Sequence, residues 1–139
     1  FKPFIEIYDP ANFNRIGLRY IDVIVRSKYG LVDIEWNNLL NSSLLGIISS
    51  DIGSSVKNFE HIHEIELSEN AGHVRIVTNT VNHRDTNESC IMIDSDFAFQ
   101  EKTKIGNAIK VLDDFHTRGF RLFKWCIKEK LHKAMELSS

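Results

Sequence analysis

The run from Arg15 to Arg26, RIGLRYIDVIVR, constrains this chain more than any other stretch. It is dense in Ile, Val, Leu and Tyr, the residues that suit a pleated, half-buried surface. Side chains alternate across a strand, so Ile16, Leu18, Tyr20 and Ile24 face one side and Ile21, Val23 and Val25 the other. Two apolar faces predict an interior strand, or one covered on both sides. Tyr29-Gly30 closes it. A chain that contains such a strand must build a sheet around it and a layer to cover that sheet. With 139 residues, 42% of them hydrophobic, it has material for one core, and the expectation is a single α+β domain over 1–139.

The flanking segments supply sheet and cover. Phe4 to Tyr8 (FIEIY) alternates apolar and polar residues until Asp9-Pro10 breaks it, which predicts a short strand or entry segment. Asp33 is placed to cap a helix from Ile34 to about Ile48, where Trp36, Leu39, Leu40, Leu44, Ile47 and Ile48 recur at helical spacing. Ser49 to Ser55 (SSDIGSS) has loop composition. Phe59 to Leu67 alternates again, Glu69 to Gly72 is a turn, and Val74 to Val81 is the return strand of a hairpin. Cys90 to Phe99 adds a strand with Ile91, Ile93, Phe97 and Phe99 on one face.

The last third reads as helix. From about Ile105 to Leu137, the residues Ile105, Ile109, Leu112, Phe115, Phe123, Ile127, Leu131 and Ala134 trace an apolar stripe. Gly119 lies inside it at a cost of about 1 kcal/mol against Ala. Close approach to a neighbour or a kink would account for it, and a break there would give two helices. The fold class that follows is α+β: a mostly antiparallel sheet of about four to five strands, covered by a long C-terminal helix and one shorter helix.

Composition narrows the function classes. Seven Gly and two Pro exclude collagen-like and low-complexity chains, and two Cys do not make a disulfide framework. No apolar run approaches the roughly 18 residues of a membrane span. The opening FKPFIEIYDP lacks the charged start and apolar core of a signal peptide, so the expected location is cytoplasmic and no membrane partner is expected. There is no GxGxxG, Walker-type loop, GxSxG or HExxH, and no cofactor is implied. Residue 1 is Phe, which suggests a piece of a longer protein.

Several side chains are candidates for chemistry. His61 and His63 project from one face of a predicted strand, and Asp94 and Asp96 do so on another. Together they could ligate Zn²⁺ or Mn²⁺. Against this, the histidines share their face with Phe59, Ile65 and Leu67, which has the look of a core face. Glu60, Glu64 and Glu66 form a row of acids, read more simply as a solvated face or a charge-blunted edge strand than as acid/base catalysts. Cys90 and Cys126 read as small buried hydrophobes, and no catalytic residue is assigned. Arg19 shares a face with Ile21 and Val23, where an unpaired guanidinium is costly, so a carboxylate partner is expected. Binding of an anionic ligand is the sharper reading, with Arg19, Tyr20 and Asp22 as contacts for a ligand or partner. Between Lys110 and Lys133 seven Lys or Arg stand against three acids. Cations favour the C-terminal part of a helix, while a nucleic-acid footprint would need exposed aromatics, of which only Trp125 qualifies.

RIGLRYID at Arg15 to Asp22 resembles the core motif of a sporadically distributed, uncharacterised prokaryotic protein family. The strand end IDSD at Ile93 to Asp96 and LDDFHTRGFRLFKW at Leu112 to Trp125 fit the same pattern. Asp22 stands where members commonly place Asn. Members are longer than this chain, so the resemblance implies a C-terminal part. It brings no activity and no catalytic residue.

Three functional expectations follow. The first is a non-enzymatic protein-interaction module that binds a partner protein or a second copy of itself through an exposed sheet face or edge. The second is a small-ligand pocket in the manner of helix-grip folds, lined by Ile16, Tyr20, Phe97, Phe115 and Phe123. The third is a metal-dependent enzyme built on His61, His63, Asp94 and Asp96.

Overall fold

The computed structural model describes residues 3–8 and 13–138. Five strands are present among the described residues: β1 (Pro3–Tyr8), β2 (Arg15–Ile24), β3 (Glu60–Glu66), β4 (His73–Asn82) and β5 (Ser89–Phe99). They form one antiparallel sheet in the order β1-β2-β5-β4-β3. β1 pairs with β2 in a register that sets Ile5 opposite Leu18 and Ile7 opposite Ile16. Among the described residues three α-helices accompany the sheet: α1 (Ser42–Leu45), α2 (Ile105–Cys126) and α3 (Glu129–Ser138). The α+β class read from the sequence is the class observed. No helix among the described residues is long and apolar enough to cross a membrane.

The chain divides into two compact units. One comprises Phe1–Asp22, Ile62–Val77 and Ile93–Arg121, the other Val23–His61, Thr78–Met92 and Leu122–Ser139. In the first unit Ile16, Leu18, Tyr20, Val74, Ile76, Ile93, Phe97, Ala108 and Phe115 are buried. The Tyr20 ring meets Phe97 edge-on at 6.3 Å, and Phe97 meets Phe115 at 5.5 Å. Gly119 does not break α2. A Cβ there would lie 2.5 Å from Tyr20 Cε2, so the glycine exists to let helix backbone approach a buried ring. Close approach, one of the two explanations for this residue, is the one that holds.

Three local expectations are corrected. The second apolar face of β2 is not covered: Ile21 and Val23 are 43% and 47% exposed, although the strand is interior in the sheet order. The face of β3 that carries His63 and Ile65 is not a core face, because β3 is an edge strand whose residues are exposed except for half-buried His61. On α2 the buried positions are Ala108, Phe115, Gly119 and Cys126, while Ile105 and Ile109 from the expected stripe are exposed. The two sets differ by a fraction of a turn, and contact with the sheet selects between them.

In the second unit, the helix expected over Ile34 to Ile48 is replaced by a 3₁₀ turn at Trp36–Asn38, the short α1 and another 3₁₀ turn at Gly46–Ser49. The cause is tertiary hydrogen bonding. Asn41 N–H donates to Cys126 O at 2.8 Å, and Lys128 N–H donates to Leu39 O at 2.8 Å. These bonds tie the Leu39–Asn41 turn to the segment after α2, with Leu40 opposite Ile127 in an isolated antiparallel bridge. Asn41 then caps α1 by accepting Ser43 N–H at its Oδ1, 3.0 Å away. The same two bonds break the C-terminal helix at Ile127 and Lys128 rather than at Gly119. Leu39, Leu40, Leu44, Leu45, Cys126 and Leu131 form the dry interior around this bridge.

Candidate functional site

A cavity of about 480 Å³ lies within the second unit. Its volume falls in the range of small-molecule pockets. The wall begins where β2 ends. Arg26 opens a 3₁₀ turn, Arg26–Tyr29, that Gly30 closes in the left-handed region. Leu31 N–H then returns to Arg26 O at 2.9 Å, and Ile34 N–H to Leu31 O at 3.0 Å. This doubled turn folds the chain back so that Arg26 Nη1 donates to Ile34 O at 2.9 Å. It also stacks the guanidinium over Trp36, 4.2 Å from the ring centroid. Ile48 and Val56 add apolar wall, Thr80 and Ser89 bring hydroxyls from β4 and β5, and Glu35 and Asp51 stand among the exposed lining residues.

Arg26 is the electrostatic centre of this wall. Its Nε is sealed from solvent and has no hydrogen-bond partner. Among the described residues no carboxylate lies within ion-pair distance of it. Burial pulls the guanidinium below its ordinary pKa, and the charges of Glu88 and Cys90 act in the opposite sense. Arginine nonetheless stays charged at neutral pH. Glu88 accepts the Ser27 N–H at 3.1 Å, and hydrogen bonding from Ser27 holds its carboxyl below the usual range. The Cys90 thiol is pushed up by burial, then by Glu88.

The residues singled out from sequence lie outside this cavity. Arg19 grips Asp94 with both nitrogens of one edge, Nε to Oδ1 at 2.9 Å and Nη2 to Oδ2. The carboxylate partner expected for Arg19 is thus one of the proposed metal ligands. His61 donates from Nδ1 to Leu44 O at 3.2 Å and lies edge-on to Phe59 at 5.2 Å. It also abuts Gly46, whose φ of +52° and lack of a side chain leave room for the imidazole. His63 is exposed on β3, and Asp96 is half-buried on β5. Among the described residues no three His, Cys, Asp or Glu gather closely enough to hold a metal ion.

Tyr20 is interior: it is buried, shares a 2.9 Å hydrogen bond with His116 Nδ1, and burial raises its phenol pKa. Ile16, Tyr20, Phe97 and Phe115, four of the five residues expected to line a helix-grip pocket, are each packed to 1% exposure or less. None of the five lines the cavity. Asp22 is half-buried on the face that Tyr20 and Ile24 share, and burial raises its pKa. Of the C-terminal cations, Arg118 pairs with Asp114 and reaches Ser68, Lys133 pairs with Glu129, and Lys128 Nζ donates to Asn37 O. Trp125 is half exposed.

Arg26 and Trp36 were missed because each had a sufficient local reading, one as the end of a strand and the other as an apolar helix position. The available signal was the Ser- and Gly-rich SSDIGSS loop, which contributes Ser50, Asp51, Gly53 and Ser54 to the cavity. No family model, curated protein or solved structure matches this chain.

Proposed function

We propose that the second unit is a binding module for a small organic anion with an apolar body. The observation that carries this reading is the Arg26 guanidinium beside the cavity, stacked on Trp36 with its Nε donor unfilled. A buried donor without an acceptor costs about 1–3 kcal/mol, a debt that a ligand carboxylate or phosphate relieves as it binds. Nη1 is engaged by Ile34 O, so an oxyanion binds in bidentate fashion through the Nε/Nη2 edge, displacing the contacts that seal Nε from solvent. Ile48 and Val56 offer apolar contact to the ligand body, and the carboxylates of Glu35 and Asp51 select against a second negative charge.

The resemblance of Arg15 to Asp22 to the prokaryotic family supplies no activity that competes with this reading. Thermal-shift screening of small aliphatic and aromatic carboxylic acids, each beside its neutral amide, tests it. At least one acid raises the melting temperature where its amide does not, and Arg26→Gln abolishes that shift. In a Trp125→Phe background the same acid changes the fluorescence of Trp36, the remaining tryptophan. Shifts that survive Arg26→Gln, or equal shifts from acids and amides, would end the proposal.

A further inference from the structure

The free edge of β3 carries an inference independent of the cavity. β3 is the last strand in the sheet order, with β4 on one side. The bonds from Leu67 N–H to Gly72 O at 2.9 Å and from Thr80 N–H to Phe59 O at 3.2 Å bracket the β3–β4 pairing in a single register. In it Glu64 faces Arg75 and Ile62 faces Val77. The N–H and C=O of one residue point to the same side of a strand, and successive residues alternate. Since Phe59 and Leu67 point toward β4, Ile62, Glu64 and Glu66 turn their backbone groups away from it. No described residue takes those groups.

The side chains of the same three residues share one face. Ile62 is 48% exposed, and Glu64 meets Arg75 only at 4.0 Å with both side chains largely in water. Glu66 has no ion-pair partner among the described residues. On the opposite face Ile65 is 45% exposed. An open edge bearing exposed Ile and a row of acids is a template for strand addition with a charge preference.

The acids also decide against a second copy of this chain as the occupant. In a continuous two-fold sheet, residues on one face pair with residues on the same face. Centring the axis on Ile62 sets Glu60 against Glu64; centring it on His63 sets Glu60 against Glu66; centring it on Glu64 sets that residue against itself. Each of these registers places like charges directly opposite, which is destabilising, and the register centred on His61, which avoids this, overlaps only Glu60 to Ile62 of each β3.

We infer that the β3 edge receives an extended basic segment of another protein, added as a sixth strand. Lys or Arg at alternate positions oppose Glu64 and Glu66 and lay their stems along Ile62, and the intervening apolar residues meet Ile65.

Labelled peptides read by fluorescence polarisation test this with the intact chain. An acetylated Lys-Val-Lys-Val-Lys-Val peptide binds at least about tenfold more tightly than its Glu-Val counterpart, and added salt weakens it. Methylating alternate amide nitrogens of the Lys peptide removes binding. The double variant Glu64→Lys with Glu66→Lys, at exposed positions and checked for an unchanged melt, reverses the preference. An N-methylated peptide that binds as well as its parent would reduce the effect to bulk charge and overturn the proposal. So would a preference that the double variant leaves unchanged, since binding would then lie elsewhere. Protection of the Ile62 and Glu64 amides from hydrogen exchange that grows with protein concentration, without peptide, would give the edge to a second copy instead.

Discussion

Tyr20, Phe97 and Phe115 meet ring to ring beside Gly119 in the first unit, whereas in the second Arg26 and Trp36 stack beside a cavity of about 480 Å³. Apolar rings can be brought to 5.5–6.3 Å of one another with one polar atom to satisfy, the Tyr20 hydroxyl, and His116 satisfies it. A guanidinium has five donors in a fixed fork, and packing it dry would strand several of them. The contrast is one of completion: the first interior is satisfied by its own side chains, and the second keeps a buried donor without a partner, the feature on which the proposed binding role rests.

The contrast can be broken most directly at Phe115. Phe115→Ala removes a fully buried ring and lowers the unfolding free energy by about 3–5 kcal/mol in urea titration, whereas a loss near zero would mean the first interior is not the stabilising one. Gly119→Ala comes next and turns on sign. Helix propensity alone would stabilise by about 1 kcal/mol, while the clash with the buried Tyr20 ring costs about 1–3 kcal/mol, so net destabilisation is expected. A gain in melting temperature would show that the ring has room to move.

On the other side of the comparison, Arg26→Gln changes stability by about 1 kcal/mol or less, because the stacking lost is offset by the burial cost relieved. A large loss would make Arg26 a structural residue and collapse the distinction. Arg19 and Asp94 sharpen the picture from the outer face of the sheet. A double-mutant cycle with Arg19→Met and Asp94→Asn should give a coupling of about 0.5–1 kcal/mol, held down by the 41% exposure of the Arg19 side chain.

The smallest effect is a slope. Burial raises the Asp22 pKa, so the folded state holds this proton more tightly than the unfolded chain does. Its contribution to stability is therefore full below the ordinary carboxyl pKa and is lost as pH rises through the raised folded value. Asp22→Asn should flatten the pH dependence of the urea midpoint above about pH 4 and stabilise the protein at neutral pH. A parallel shift of the whole curve would assign the effect to packing.

Much of the sheet was legible because strand signals are local. β2, β4 and β5 announce themselves through alternation and β-branched residues, and their observed ends lie within about two residues of those read from the sequence. The segment from Ile34 to Ile48 was not legible for an equally physical reason. Its apolar spacing is helical, but the bonds that forbid the helix come from Cys126 and Lys128, far along the chain. Among site residues, pairing of Arg19 with a carboxylate followed from the cost of an unpaired charge, although its partner did not. The cavity was invisible, since Arg26 and Trp36 become a wall only after a doubled turn brings Ile34 O to the guanidinium.

By itself, then, the sequence determined the class of the fold, the interior rank of β2 and a tolerance for glycine at position 119. These depend on side-chain periodicity and on the size of one residue, quantities that a linear chain already carries. Tertiary structure decided which face of α2 is buried, where the C-terminal helix breaks, that β3 stands at the edge and that one guanidinium keeps an open donor. Each of those depends on which distant backbone or side chain supplies the other half of a contact, and only folding brings the two halves together.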